Sequence, residues 1–178
     1  LFLQQDVLGH HPPLGGRPLH HEQQVVRIDR LGEEIERPIL HRGHGVLDDT
    51  AFKNLRAVTD LPGARGTRVL VIHPAAPTGD AQDWVNDTDA IRKHLHALGD
   101  GPVSAIGDYN ATWDQARFRG ILRNGYADAG EQAGSGFLPT YPTNGRLGNR
   151  PVVAIDHVIT KGFVATSVRT HFVAGSDH

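Results

Sequence analysis

Asp108 and Asn110 stand two residues apart in Gly107-Asp108-Tyr109-Asn110, directly after the apolar run 102–106. On an extended backbone that spacing puts both side chains on one side. A carboxylate beside an amide suits a hard metal ion and a phosphate oxygen. Taken alone, the tetrapeptide reads first as a turn, because Gly, Asp and Asn are turn formers. Three more clusters of metal-ligating or proton-transferring residues follow or close apolar runs: His73 after 68–72, Asp156-His157 after 151–155, and Asp177-His178 after the alternating run 164–172. Four such clusters suggest strand ends converging on one site. His157 follows Asp156 directly on an extended run, so it faces away and is left out of that site.

The elements that must position these residues are readable in outline. Residues 68–72 form a continuous apolar run of buried-strand type, stopped by Pro74. Asp80 to Leu98 reads as an amphipathic helix. Trp84, Ile91, Leu95 and Leu98 are its apolar positions, Asp83, Asp87, Arg92 and Lys93 are among its polar ones, and His94 and His96 lie at the surface. Gly99-Asp100-Gly101-Pro102 ends it. Thr112 and Gln115 make a capping box for a helix carrying Phe118, Ile121 and Leu122 and ending near Gly125. Gly130 to Arg150 is a long loop, and such loops often carry function. Residues 151–159 read as a third strand, and 164–172 alternate as a fourth beyond the Lys161-Gly162 turn. This order implies a layered α/β protein.

Composition narrows the class. The 178 residues can bury a sizeable core, and 21 Gly with 11 Pro make the chain rich in loops. A net charge of -2 provides no global field for nucleic acid or anionic membrane, although a local basic groove is compatible with it. There is no cysteine, hence no disulfide or thiolate metal site. No apolar run approaches the ~18 residues of a membrane span. The chain contains no methionine, even at position 1, and reads as a fragment or processed product. Residues 1–50 stand apart: they are rich in His, Gly and Pro and hold His10, His11, His20, His21, His41 and His44. None of these histidines has the i, i+4 spacing of a helical metal site. Within this segment, Ile28, Leu31 and Ile35 could form one face of a short helix.

Together, Val71-Ile72-His73-Pro74, Gly107-Asp108-Tyr109-Asn110-Ala111-Thr112, Ile155-Asp156-His157-Val158 and Gly175-Ser176-Asp177-His178 resemble the endonuclease/exonuclease/phosphatase superfamily, the deoxyribonuclease-I-like proteins. The resemblance covers about residues 52–178, so 51–178 reads as a partial domain of this kind. Thr112-Trp113-Asp114, Phe118-Arg119 and Thr140-Tyr141-Pro142 look like its bacterial, actinobacterial-type branch, where membrane helices often precede an extracytoplasmic catalytic domain. The resemblance implies a two-sheet β-sandwich flanked by helices, here incomplete at both ends. It implies hydrolysis of a phosphoester with Mg²⁺ or Mn²⁺. The substrate would be a small phosphate ester, a phospholipid headgroup or nucleic acid. His178 would be the general base and Asp156 its orienting partner. Asp108 and Asn110 would bind phosphate and the metal or attacking water. Asp177 would serve the metal, and His73 a phosphoryl oxygen. Arg119 and Arg123 are weaker phosphate candidates, since exposed helix charges are usually only solvated.

The chain departs from the pattern in two places. The family's early asparagine and its metal-ligand glutamate are not found in context. Leu3-Gln4-Gln5-Asp6-Val7 resembles the glutamate strand with an amide in place of the carboxylate, a poorer Mg²⁺ ligand. His178 is also the last residue, where the family continues into another strand. A frame change or mis-assigned start near 45–52 would explain the first departure. The alternative reading is an inactive remnant or binding module that keeps the scaffold. A partial two-sheet core would leave apolar edges exposed, so marginal stability is expected.

Overall fold

The computed structural model describes residues 40–47, 50, 54–145, 148 and 150–178. The helix considered around 28–35, the Leu3–Val7 strand and the histidines at 10, 11, 20 and 21 lie outside them. The described residues build one six-stranded mixed sheet in the order β1-β2-β3-β4-β6-β5. Its strands are β1 (Leu40–Leu47), β2 (Asn54–Leu61), β3 (Ala64–Ile72), β4 (Val103–Asp108), β5 (Ala127–Asp128) and β6 (Asp156–Lys161). β3 and β4 run parallel, joined through α1 (Ala81–Ala97); the other neighbouring pairs are antiparallel.

α1 forms where its periodicity predicts. Asp80 caps it by accepting from the Gln82 N–H at 2.8 Å, and Leu98 closes it before Gly99. Trp84, Thr88, Ile91 and Leu95 are buried at helical spacing. Trp84, Ile91 and Leu95 pack on Leu70 and Ile72 of β3, Val103 and Ala105 of β4 and Ile159 of β6. Each such side chain contributes about 1.5–3 kcal/mol by leaving water. Asp87 is not on the solvated side. It is buried, and its Oδ2 accepts from the Ala75 N–H at 2.9 Å, tying the helix to the loop that follows His73. His96 is half-buried, with Nε2 3.2 Å from the Ile121 carbonyl.

The opposite sheet face carries Ile106 and Val158, covered by Ala129 of α3 (Ala129–Gln132), by Ala165 and by Val168. Here the structure departs from local pattern. Residues 164–172 alternate like a strand but run as irregular chain. Of 151–155 only Val153 pairs, in an isolated bridge with Tyr141, and the strand proper starts at Asp156. Leu55 of β2 and Val71 of β3 remain exposed on the sheet, and Val152, Val164 and Phe172 are exposed on the irregular chain.

α2 (Ala116–Ile121) is shorter than expected. Gln115 Oε1 does accept from the Thr112 N–H at 3.1 Å, which is half of a capping box. The Thr112 hydroxyl bonds the Asp114 carboxylate instead, and the helix starts three residues later than the box implies.

Candidate active site

β4 and β6 create the site through their register. Asp108 and Asp156 are direct partners across the antiparallel pair, so their side chains share a face. Gly107 precedes Asp108 at φ 146°, and a Cβ there would collide with the Ile72 carbonyl. Only glycine lets β3 and β4 approach so closely at the point where Asp108 leaves the sheet.

The chain then turns. Asn110 has φ 47°, and its N–H donates to Asp108 Oδ1 at 2.7 Å. The two residues therefore do not share a side of an extended strand, because the strand has ended at Asp108. They meet through a turn in which asparagine tolerates the left-handed conformation. The turn and the site are one structure. Asn110 Nδ2 donates to the Pro74 carbonyl at 3.0 Å, which joins this turn to the loop behind His73.

His178 lies over both carboxylates. Its Nδ1 is 2.7 Å from Asp156 Oδ2, and its Nε2 faces Asp108 Oδ2 at 3.6 Å. The Asp156 side chain is 1% exposed and the His178 side chain 10%. Thr143 braces this end of the chain: its N–H donates to the Asp177 carbonyl at 2.7 Å and its hydroxyl to the Ser176 carbonyl at 3.0 Å. The Tyr141 ring lies 5.0 Å from the imidazole. His73, half exposed, places Nε2 3.8 Å from Asp108 Oδ2. Its backbone N–H donates to Oδ1 of the fully buried Asn54 at 2.6 Å. His178 and Asp156 stand at one edge of a cleft of about 690 Å³ whose lining includes Trp113, Leu138, Val168 and Phe172.

Charge crowding shifts two groups. Burial, and then the neighbouring Asp156 carboxylate, raise Asp108 to about 6, against smaller opposing contributions from the Asn110 N–H, His178 and His73. For His178, burial pulls the pKa down. The hydrogen bond to Asp156 and the negative charges of Asp156, Asp108 and Asp177 outweigh it, and the imidazole rises to about 9.

This donor set fits a hard divalent cation. One ligand atom each from Asp108, Asp156 and His178 lies within 4.8 Å of the others. Oδ1 of Asp156 and Oδ1 of Asp177 are both buried with no hydrogen-bond partner, a costly state for a carboxylate that a cation would relieve. Asp177, expected as a metal ligand, is outside the three-residue cluster but contributes charge to it.

Asn54 and Asp87 escaped the sequence reading. The usable signal was a polar residue inside an otherwise apolar pattern: Asp87 lies on the same buried face as Trp84, Thr88 and Ile91. Arg119 bonds the Trp113 and Asp114 carbonyls and lies over the Trp113 ring, so its contacts are local.

The fold and the site define a deoxyribonuclease-I-like α/β protein. The model of the Endonuclease/Exonuclease/phosphatase family matches residues 4–178, and the chain belongs to this family of phosphoesterases and nucleases. That match reaches back into the first fifty residues, well before the start near 52 read from the motifs. None of the curated proteins matches the chain. Among solved structures it is similar to the human Nocturnin catalytic domain with bound sulfate, at 17% identity and TM-score 0.56, covering 79% of this chain and 56% of that one. It is similar to D. rerio TDP2 complexed with single-strand DNA product, at 18% identity and TM-score 0.53, covering 69% and 53%. A Bacteroides thetaiotaomicron mannosyl-6-phosphatase matches at 11% identity and TM-score 0.50, covering 70% and 53%. The chain thus spans about half the length of these solved relatives. These matches do not narrow it to one branch of the family. No helix among the described residues is long and apolar enough to cross a membrane.

Proposed function

We propose that the chain carries the proton-transfer and phosphate-binding part of a divalent-metal-dependent phosphoester hydrolase. The arrangement at His178 supports this most directly: Nδ1 is held by a buried carboxylate at 2.7 Å and Nε2 faces a second one at 3.6 Å. Asp156 fixes the tautomer with the proton on Nδ1, so Nε2 is the atom that exchanges a proton with water or the leaving group. His73 donates to a phosphoryl oxygen as charge develops there. The Asn110 amide nitrogen is committed to the Pro74 carbonyl, which leaves its oxygen as the atom it could offer to substrate or water. Asp108 with Asp177 or Asp156 would hold Mg²⁺ or Mn²⁺. A divalent cation, when bound, would supply positive charge to the phosphoryl group and offset the carboxylates that raise His178.

One solved relative is complexed with a single-strand DNA product and another is a mannosyl-6-phosphatase, so esters of nucleic acid and of sugars are both candidates. A net charge of -2 favours the smaller ester over tight sequence-independent nucleic-acid binding. The test is a panel of bis-p-nitrophenyl phosphate, single-strand DNA and mannose 6-phosphate. Each is assayed with Mg²⁺, Mn²⁺ or EDTA, for the wild type and Asp108→Asn. Hydrolysis of at least one substrate that needs the cation and collapses in Asp108→Asn is expected. Equal background rates in both proteins contradict the reading.

One observation favours a second reading, a non-catalytic member. The described residues bring only two carboxylates into the cluster with His178, and Leu3-Gln4-Gln5-Asp6-Val7, which resembles the family's glutamate strand, has Gln where a carboxylate is needed. Saturable Mn²⁺ binding without hydrolysis is its signature.

A further inference from the structure

β6 sends consecutive side chains to opposite faces of the sheet, Asp156 into the site and His157 behind it. His157 is buried, and both ring nitrogens are engaged. Nε2 lies 2.9 Å from the Ala111 carbonyl. A carbonyl only accepts, so Nε2 carries a proton and donates it. Nδ1 lies 2.8 Å from Oδ2 of Asp128, which is buried as well. The other carboxylate oxygen of Asp128 accepts from the Glu131 N–H at 3.0 Å, capping α3. The imidazole is packed 4.1 Å from the Phe118 ring and 5.9 Å from Tyr109. A rigid chain of contacts therefore runs from α3 through Asp128 and His157 to the carbonyl of Ala111.

Ala111 ends the turn that holds Asp108 and Asn110. The Tyr109 N–H, bonded to the Ile155 carbonyl at 2.8 Å, and the Asn110 amide, bonded to Pro74, fix that turn from two other directions. Asn110, in the left-handed region, is bonded directly to Ala111, and its N–H orients Asp108, so the placement of Ala111 bears on both residues.

We propose that His157, oriented by Asp128, is a positioning residue: it sets the turn that brings Asp108 and Asn110 into register with Asp156 and His178. The proposal rests on the phosphoesterase reading for its kinetic readout but not for its binding readout. Misplacing a reacting group by about 1 Å costs on the order of 10²-fold in rate. His157→Phe keeps the ring and removes both donors. His157→Gln can restore the donor to Ala111.

The experiment measures kcat and KM for bis-p-nitrophenyl phosphate, Mn²⁺ affinity by titration, and Tm. For His157→Phe the expected result is a kcat lower by about 10²-fold, KM within about threefold, and Mn²⁺ affinity weakened about tenfold. His157→Gln should regain about tenfold in kcat without regaining Tm in proportion. Wild-type kcat and Mn²⁺ affinity in folded His157→Phe overturn the proposal, as does equal impairment of both variants in step with Tm. If His157→Phe does not fold, Asp128→Asn is expected to show the same split between kcat and KM at smaller size, and a wild-type kcat there is equally fatal. If the wild type hydrolyses nothing, the proposed function falls, while the Mn²⁺ titration still decides this inference. A wild type that neither hydrolyses nor binds Mn²⁺ overturns both.

Discussion

Two histidine–carboxylate pairs lie on opposite faces of β6. His178 meets Asp156 at 2.7 Å, and His157 meets Asp128 at 2.8 Å. The residue types and lengths match, and the surroundings do not. Behind the sheet, the second nitrogen of His157 is closed on a backbone carbonyl between aromatic rings. In the site, the second nitrogen of His178 faces another carboxylate at the edge of an open cleft, and two nearby carboxylate oxygens are buried without partners. The first arrangement satisfies every polar atom named in it and braces the turn behind the site. The second concentrates negative charge and is suited to holding a cation and moving a proton. A histidine–aspartate bond by itself therefore does not mark a proton-transfer site; the second nitrogen decides.

The sharpest way to break this contrast is to remove each carboxylate. Asp156→Asn should lower kcat by about 10³-fold, because the imidazole loses the partner that fixes its tautomer. Asp128→Ala should lower kcat less than Asp156→Asn does and should also cost stability, since breaking a buried pair and leaving one partner behind costs about 3–5 kcal/mol. Chemical denaturation would show it, and equal stability losses for the two variants would erase the distinction.

Gly107→Ala tests the junction between the two faces. Its Cβ has no space beneath the Ile72 carbonyl, and φ 146° strains any side chain. A loss above about 3 kcal/mol in urea is expected, accompanied by loss of activity because Asp108 is displaced.

Titration separates the pairs further. His178 is raised from 6.5 to about 9, so the stability it contributes is full below about pH 6.5 and is lost as pH rises through 9. Asp108 is raised from 3.8 to about 6, so folding favours its protonated form, and that contribution fades as pH rises from 3.8 through 6. Both changes make the metal-free protein less stable with rising pH. His178→Gln should flatten the upper arm of a Tm–pH profile and Asp108→Asn the lower arm. A wild-type profile that rises between pH 6.5 and 9 would contradict this assignment. The smallest effect is expected for Arg119→Ala: stability within about 0.5 kcal/mol, as for a surface substitution, and activity within about twofold of wild type by the same reasoning.

Much of this was legible in the sequence. The apolar runs ending at His73 and Asp108, and the helix between them, follow from periodicity because burial on a parallel strand and on a helix face leaves a repeating signature, whereas the run before Asp156 pairs only at Val153 and the strand begins at Asp156 itself. What stayed hidden depended on partners distant in the chain. β2 offers no clean alternation, and its first residue, Asn54, matters only because His73 lies beside it. Asp87 looked solvated until the loop after His73 supplied an N–H for it. The stretch 164–172 alternates correctly yet forms no ladder among the described residues, since alternation specifies faces and not a pairing partner. For Asp108 and Asn110 the sequence placed both residues in the site by an argument from extended geometry that the turn at Asn110 replaces.

The central claim is that the second nitrogen of His178 performs the chemistry. The direct test is the initial rate of bis-p-nitrophenyl phosphate hydrolysis in Mg²⁺ for the wild type and for His178→Ala, with Tm recorded for both. A cation-dependent wild-type rate that falls by about 10³-fold in a variant that remains folded is the predicted result. A folded His178→Ala protein with the wild-type rate would contradict it.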